Sequence, residues 1–352
     1  MTQRDWRIFR EDFSISTKGG TVPNPIRNWG ESGLPSEMLN VIQNVGYVEP
    51  TPIQRQAIPI QILNRDVIGV AETGSGKTAS FVIPMLVFIS ALPRLTYENA
   101  SQGPYALILA PTRELAQQIH VEASKFAKAM GFICVSLVGG HSLDDQSFSL
   151  RNGVHIVIAT PGRLRDCIDR RIIALYQCTY VVLDEADRMV EMGFEADLNY
   201  ILDAMPLTNQ KPDTEDAEDM ERLRKITKRA LPFRQTVMFS ATMPPEVERL
   251  AKSYLRRPAT IVVGVAGQTV ERIEQRVEMI KDDSRKLGRL VQILSSREFK
   301  PPMIVFVNQK KDCDPITRAL DKLGVFCHYL VSLHYTAWWK VAGSTRGIVT
   351  RT

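Results

Sequence analysis

Between Ala71 and Thr78 the chain reads AETGSGKT, two glycines and a lysine set between an apolar run (Val67, Ile68, Val70) and a second one beginning at Phe81. A strand, a glycine-bearing turn and a helix N-terminus in that order make an anion site. Loop N–H groups converge on it, and the helix dipole favours negative charge. In such a loop the Lys77 ammonium reaches the β- and γ-phosphates of a nucleotide, and the Thr78 hydroxyl holds Mg²⁺. Nucleotide phosphates and Mg²⁺ are the expected ligands, with Glu72, Thr73, Gly74, Ser75 and Gly76 as the cradle. The full P-loop pattern has Gly where this chain has Ala71, so the match is one residue short. Alone, the loop does not separate from an ordinary glycine-rich turn.

A second constellation supports the first. Tyr180-Val-Val-Leu runs directly into Asp184-Glu185-Ala186-Asp187. Acidic residues after an apolar strand stand at the carboxyl edge of a parallel sheet, where such folds bind ligands. A P-loop nucleotide needs one carboxylate near Mg²⁺ and one group to orient or deprotonate the attacking water. Asp184 suits the first role and Glu185 the second. The plainer alternative, acidic residues complementing a helix N-terminus, loses ground with a P-loop upstream.

The elements that must position these groups are legible around them. From Pro25 to about Val263 the runs VIGVA, YALILA, CVSLVGG, HIVIAT, YVVLDEA, TVMFSAT and TIVVGV alternate with helical segments. That alternation predicts an α/β fold, a parallel sheet with helices on both faces. Residues 1–23 read as a flexible N-terminal extension, 24–263 as the nucleotide-binding domain and 264–272 as a linker. A second, partial domain over 273–327 opens with the strand-like QRVEMI. The helix Lys286 to Ser295, the strand Met303 to Val307 and the helix Asp314 to Leu323 follow. Residues 206–235 break the rhythm with an acidic run, Asp213 to Glu221, and a basic one, Arg222 to Arg229. Such blocks read as a solvated surface insertion, with a regulatory docking element as the other reading.

Composition bounds the rest. At 352 residues, 44% hydrophobic and 24% charged, the chain is an ordinary globular one of one or two domains. A net charge of +5 permits nucleic-acid binding without arguing for it. Cys134, Cys167, Cys178, Cys313 and Cys327 lack metal-ligand spacing and read as the reduced thiols of an intracellular protein. No apolar stretch is long enough to span a bilayer, so no membrane partner is expected.

The motifs together resemble the DEAD-box RNA helicases. AETGSGKT at 71–78, PTRELAQQ at 111–118, TPGRL at 160–164, DEAD at 184–187 and SAT at 240–242 stand in that family's order. Gly46-Tyr-Val-Glu-Pro-Thr-Pro-Ile-Gln54 resembles its adenine-recognising motif, Trp29 its isolated upstream aromatic, and Ile304 to Asn308 its fourth motif. The family's loop also opens with Ala, which accounts for Ala71. The resemblance implies a RecA-like fold and ATP-dependent remodelling of RNA. It implies that Gln54 reads an adenine edge, with one donor and one acceptor satisfied by its amide, and that Tyr47 lies against the ring. Asp187, bonded by Ser240 and Thr242, would couple the nucleotide to domain closure. Thr112, Arg113, Gly140, Thr160, Gly162 and Arg163 match positions that touch the RNA sugar–phosphate backbone, which carries no sequence information. Binding of that kind weakens with salt.

The insertion PLTNQKPDTEDAED, with NPIRNW before it and MPPEVERLAKSYLRRPA after it, resembles the spliceosomal tri-snRNP branch of the family. That branch acts in exchanging small nuclear RNAs at the 5′ splice site, so the resemblance implies a nuclear location and spliceosomal protein partners.

Family members close a second RecA-like domain onto the ATP, and its arginine fingers complete the site. No glycine-rich fifth or arginine-rich sixth motif of family type follows here. The chain is therefore expected to be a copy truncated in its second domain, binding ATP and weakly binding RNA without efficient turnover. A non-enzymatic ATP-binding or protein-interaction module is the competing reading. Residues 328–352 fit no expected helix or strand. Trp338 and Trp339 each have the single codon TGG, so a one-nucleotide shift forces Gly-Gly and then Lys or Arg. The shifted frame permits Thr-Leu-His-Gly-Gly-Lys-Ser-Gln-Asp-Gln-Arg-Glu, which resembles the family at this point. A frameshifted tail and a divergent C-terminus are the two readings.

Overall fold

Short runs of β-branched and aliphatic residues bounded by turn formers have no way to bury both faces except inside a covered parallel sheet. The computed structural model folds them so. It describes residues 1–140, 142–219, 223, 232–264, 276–280, 282, 284–296, 303, 305–307, 309–322, 327–331 and 337–341. Two units divide the chain, Met1–Gln268 and Thr269–Thr352.

In the first unit eight strands are β1 (Ile15–Lys18), β2 (Val67–Val70), β3 (Ala106–Leu109), β4 (Cys134–Leu137), β5 (Ile156–Ala159), β6 (Tyr180–Leu183), β7 (Gln235–Ser240) and β8 (Ala259–Val263). They lie in the order β1-β8-β2-β7-β6-β3-β5-β4. All neighbours are parallel except β1, which runs antiparallel to β8 from Ile15 opposite Val263 to Lys18 opposite Thr260. Alternate strand residues feed two cores. Ile108, Ile158, Val182 and Phe239 pack with helices Pro52–Ile62, Lys77–Ser90 and Arg113–Ala129. Leu107, Leu109, Val181 and Met238 pack on the other face with helices Pro161–Asp169, Glu195–Asp203 and Pro245–Tyr254. The result is an α/β sandwich of RecA type. Among the described residues no helix is long and apolar enough to cross a membrane.

The expectation of a flexible extension at 1–23 is corrected. Gln3–Asp12 is a helix whose Thr2 Oγ1 accepts from the Asp5 N–H at 3.3 Å, while Asp5 Oδ2 accepts from the Thr2 N–H at 2.7 Å. Phe9 and Phe13 from this segment lie against the buried Arg55 guanidinium, 5.8 and 4.4 Å from its carbon. The buried Ile15 then leads β1 onto the sheet edge. Edge pairing and a desolvated cation–aromatic contact order a segment that looks polar in the sequence.

The insertion is also more than a solvated loop. Lys211 is buried, and its ammonium donates to Asp66 Oδ1 at 2.5 Å and to the Asn64 carbonyl at 2.6 Å. Asp66 stands at the amino end of β2, where it also accepts from the N–H groups of Thr236 (3.0 Å) and Arg256 (2.8 Å). Glu218 pairs with Arg65 at 3.3 Å. A buried carboxylate demands a cation, and the insertion supplies it. Asp213, Glu215 and Asp219 are exposed, as are Leu207 and Thr208. The basic run expected at Arg222 to Arg229 has only Leu223 within the described residues.

In the second unit the helices Ser284–Ser295 and Cys313–Lys322 bury Leu290, Leu294, Val305, Ile316 and Leu320. Two strand expectations fail here. The described part of QRVEMI, residues 276–280, is not a strand, and Met303 and Val307 make isolated bridges rather than a continuous strand. Both segments are apolar enough to pair but have no neighbouring strand in register among the described residues. The tail, expected to hold no strand, pairs Cys327–Val331 antiparallel with Ala337–Val341. The linker at 264–272 falls outside the described residues apart from Gly264, as do Ile304 and Asn308.

Candidate nucleotide site and nucleic-acid edge

Strand β2 ends at Val70, and its continuation is pinned across the sheet, the Ala71 N–H donating to the Ser240 carbonyl at 3.2 Å. The loop then crests at Glu72, Thr73 and Gly74, all exposed. Ser75 folds back, its hydroxyl donating to the Glu72 carbonyl at 2.7 Å. Gly76 starts the helix at φ +91°, a left-handed conformation. A Cβ there would stand 2.7 Å from both Gln54 Nε2 and Thr51 Oγ1, so glycine is required twice over.

Lys77 and Thr78 are the first helical residues. Lys77 is 6% exposed, and its ammonium is buried with no hydrogen-bond partner among the described residues. A charge placed so is expensive unless something else neutralises it. The carboxyl end of β6, which lies beyond β7 from β2, brings Asp184, 3% exposed. Burial pushes its carboxyl up to about 6, against the pull of the Lys77 ammonium and with Glu185 and Asp187 adding to the rise. This is a carboxyl that a cation would favour in its charged form.

Glu185 follows with a left-handed backbone, φ +53°, unusual for a side chain of its size, and its N–H donates to Asp184 Oδ1 at 3.1 Å. Asp187 Oδ2 accepts from both the N–H (2.9 Å) and the hydroxyl (2.7 Å) of Thr242, and its own N–H donates to Ser240 Oγ at 3.2 Å. Burial would raise this carboxyl, but the bonds from Thr242 and Ser240 outweigh it and hold it below the usual range.

Gln54 closes the cradle from the other side. Its Nε2 donates to the Gly76 carbonyl at 3.0 Å and its Oε1 accepts from the Thr51 N–H at 2.9 Å. Thr51 was not singled out from the sequence, although Thr-x-x-Gln before an apolar run is the helix-start pattern that would have found it. Tyr47 and Trp29 are placed otherwise than expected for groups lying against a base. The Tyr47 hydroxyl donates to Glu122 Oε1 at 2.5 Å, and its ring packs edge-on to Phe126 and beside the buried Trp29.

The remaining candidates gather along the other half of the same edge. Thr112, after β3, caps helix Arg113–Ala129 by accepting from the Leu115 N–H at 3.2 Å. Arg113 lies across the turn after β4, donating to the Gly139 carbonyl at 3.4 Å; a Cβ on Gly140 would come within 2.6 Å of its guanidinium. Thr160, after β5, is held by its N–H to the Leu137 carbonyl at 3.1 Å, and Gly162 and Arg163 open the half-exposed first turn of the next helix. The carboxyl ends of β2, β7 and β6 thus carry the phosphate-type groups, and those of β3, β5 and β4 the hydroxyl, glycine and arginine groups.

A parallel sheet with this loop and these carboxylates defines a P-loop nucleotide-binding protein of RecA type. The chain belongs to the DEAD/DEAH box helicase family, which its residues 51–250 match. It is 58% identical over 324 residues to the pre-mRNA-splicing ATP-dependent RNA helicase prp28 of Botryotinia fuckeliana, covering 92% of this chain and 40% of that protein. The corresponding prp-28 of Neurospora crassa is 57% identical over 334 residues, 95% of this chain and 46% of that one. The chain therefore spans less than half the length of these relatives. Among solved structures it is similar to the ADP-bound RNA helicase Prp28 of Chaetomium thermophilum (52% identity, TM-score 0.61, 92% of this chain and 71% of that one). It is likewise similar to the yeast DEAD-box splicing factor Prp28 (40% identity, TM-score 0.68, 92% and 69%).

Proposed function

We propose that this chain carries the nucleotide-binding part of an ATP-dependent RNA helicase that remodels RNA in pre-mRNA splicing, and so works in the nucleus. The observation that carries the reading is Lys77, at a helix N-terminus, whose buried ammonium has no hydrogen-bond partner among the described residues. Phosphate is the ligand that neutralises such a group.

In this reading Gln54 orients the base and Lys77 offsets phosphate charge. Thr78 and Asp184 would hold Mg²⁺, partly through water, which supplies neutralisation of the phosphate oxygens. The orphaned ammonium and the raised Asp184 carboxyl fit a phosphate–cation pair between them. Glu185 orients or deprotonates the attacking water. Asp187, held by Ser240 and Thr242, registers the state of that centre on β7. Thr112, Arg113, Gly140, Thr160, Gly162 and Arg163 grip the RNA backbone without reading bases, and proteins of the splicing machinery are the partners.

Nucleotide binding by native chain and Lys77→Ala tests the reading, with hydrolysis followed in the presence and absence of single-stranded RNA. The substitution abolishes ATP binding. Unchanged affinity would refute the phosphate assignment, and RNA binding that is insensitive to salt would refute the backbone assignment.

A further inference from the structure

Gln54 and Arg55 are consecutive on the first turn of helix Pro52–Ile62, about 100° apart around its axis. The Gln54 amide is bonded to Gly76. Arg55, 3% exposed, is bonded to other segments altogether. Its Nη1 donates to the Ile26 carbonyl at 3.4 Å and also to the Arg27 carbonyl, and its Nη2 donates to Glu49 Oε2 at 3.3 Å. The rings of Phe13 and Phe9 lie 4.4 and 5.8 Å from the guanidinium carbon, their own centroids 4.7 Å apart. Gln56 repeats the tie. Its Nε2 donates to the Pro23 carbonyl at 2.8 Å, and its Oε1 accepts from Arg10 Nε at 3.4 Å. Two sets of restraints therefore meet on one helical turn. Thr51 and Gly76 hold the Gln54 amide itself, while the N-terminal segment holds the backbone that carries it. Glu49 belongs to the loop entering the turn, so the same guanidinium fixes the approach as well. A guanidinium bonds in a rigid planar fork, so acceptors on separate segments set the rotation of the helix end.

The geometry points to Arg55 as a positioning residue for nucleobase recognition, with the N-terminal segment as its support. Phe9 and Phe13 hold the guanidinium, the guanidinium holds the first helical turn, and that turn aims Gln54. The inference rests on the reading of Gln54 as the adenine contact given above. Aiming an amide matters to the nucleotide whose base the amide fits. The phosphate contacts at Lys77 are common to adenine and guanine nucleotides and do not depend on it. Arg55 thus sets preference between bases rather than affinity in general.

The experiment measures binding of ADP and GDP to the full chain by calorimetric titration, with thermal melts alongside. Native chain, Gln54→Glu, Arg55→Met and Phe13→Leu are compared. The native chain prefers ADP, and Gln54→Glu has lost that preference. Arg55→Met keeps an unbranched stem beside the rings and loses the fork. Its ADP binding weakens by on the order of fivefold to tenfold, and its GDP binding stays where it was. Phe13→Leu keeps apolar cover without the ring face and lowers the preference by a smaller factor. Should Arg55→Met melt too low to titrate, Phe13→Leu decides alone. A side chain that served stability only would lower the melting temperature and leave the ratio of ADP to GDP affinity untouched. An untouched ratio in either variant, with Gln54→Glu having lost its preference, overturns the inference and leaves base reading by Gln54 in place. A native chain without preference overturns that reading as well, and the native titrations by themselves show which of the two has failed.

Discussion

Gln54 Nε2 donates to the Gly76 carbonyl at 3.0 Å, so the amide proposed to read a base is held by the loop proposed to cradle phosphate. Its oxygen is held too, by the Thr51 N–H. Each end of the amide keeps one free valence, the second N–H hydrogen and the second lone pair. In the proposed reading, a base edge with one acceptor and one donor would take both.

Gln54→Glu puts a carboxylate oxygen against the Gly76 carbonyl and removes the N–H that a base accepts. Adenine nucleotide affinity falls by on the order of tenfold to a hundredfold, and the preference for ADP over GDP collapses. Calorimetric titration with both nucleotides measures this, and an unchanged ADP to GDP ratio would show that the amide reads no base.

Lys77→Met keeps the buried stem and removes the unpaired charge. Without ligand the variant melts no lower than the native chain, because the group removed is a cost to the fold. The native chain gains about 2.7 kcal/mol at nucleotide concentrations a hundred times its Kd, and the variant gains nothing. Thermal melts with and without ADP read both effects.

Asp184→Asn tests the raised carboxyl. The folded value is about 6, above the ordinary 3.8, so between those limits the folded state binds more protons than the unfolded one. Stability of the native chain therefore falls as pH rises through this window and is fully recovered below it. The asparagine variant lacks that slope. It matches the native chain near pH 4 and exceeds it at pH 7 by up to about 3 kcal/mol. Urea unfolding across that range checks it, and parallel curves would count against the buried carboxyl.

How much of this was legible depended on whether a residue's partner was near in pattern. The parallel strands β2 to β8 stood out because each is a continuous apolar run ending in a turn, and buried strands leave no other choice of composition. The P-loop, the Asp184 to Asp187 run and Ser240 to Thr242 were legible for the same reason, each being attached to a strand end. β1 was not, since ISTK buries only Ile15 and its pairing with β8 spans most of the unit. Lys211, two residues ahead of the acidic run, was passed over with the rest of the insertion, when the deciding fact was the buried Asp66 at the amino end of β2. QRVEMI and MIVFV erred the other way: their described residues have apolar content but no neighbouring strand among the described residues. The Tyr47 to Glu122 bond joins residues 75 apart, and no local signal marks it.

Lys211→Ala leaves Asp66 buried beside two N–H donors but without a cation. Breaking a buried pair in this way costs about 3–5 kcal/mol, and the two remaining bonds place this case at the lower end. Asp66→Asn combined with Lys211→Met removes both charges and recovers most of the loss. Chemical denaturation of the three variants decides it; a double variant as unstable as the single one would show that the pair is not the anchor of the insertion.

The division of one sheet edge between two kinds of chemistry fixes a distance. From β2 to β5 the order runs through β7, β6 and β3, four steps of hydrogen-bond pitch, or roughly 19 Å at about 4.8 Å each. The loop holding Lys77 and the turn holding Thr160 are therefore graduations on a ruler whose scale is the peptide hydrogen bond. Substitutions in either loop change what is gripped, and none of them changes how far apart the grips stand.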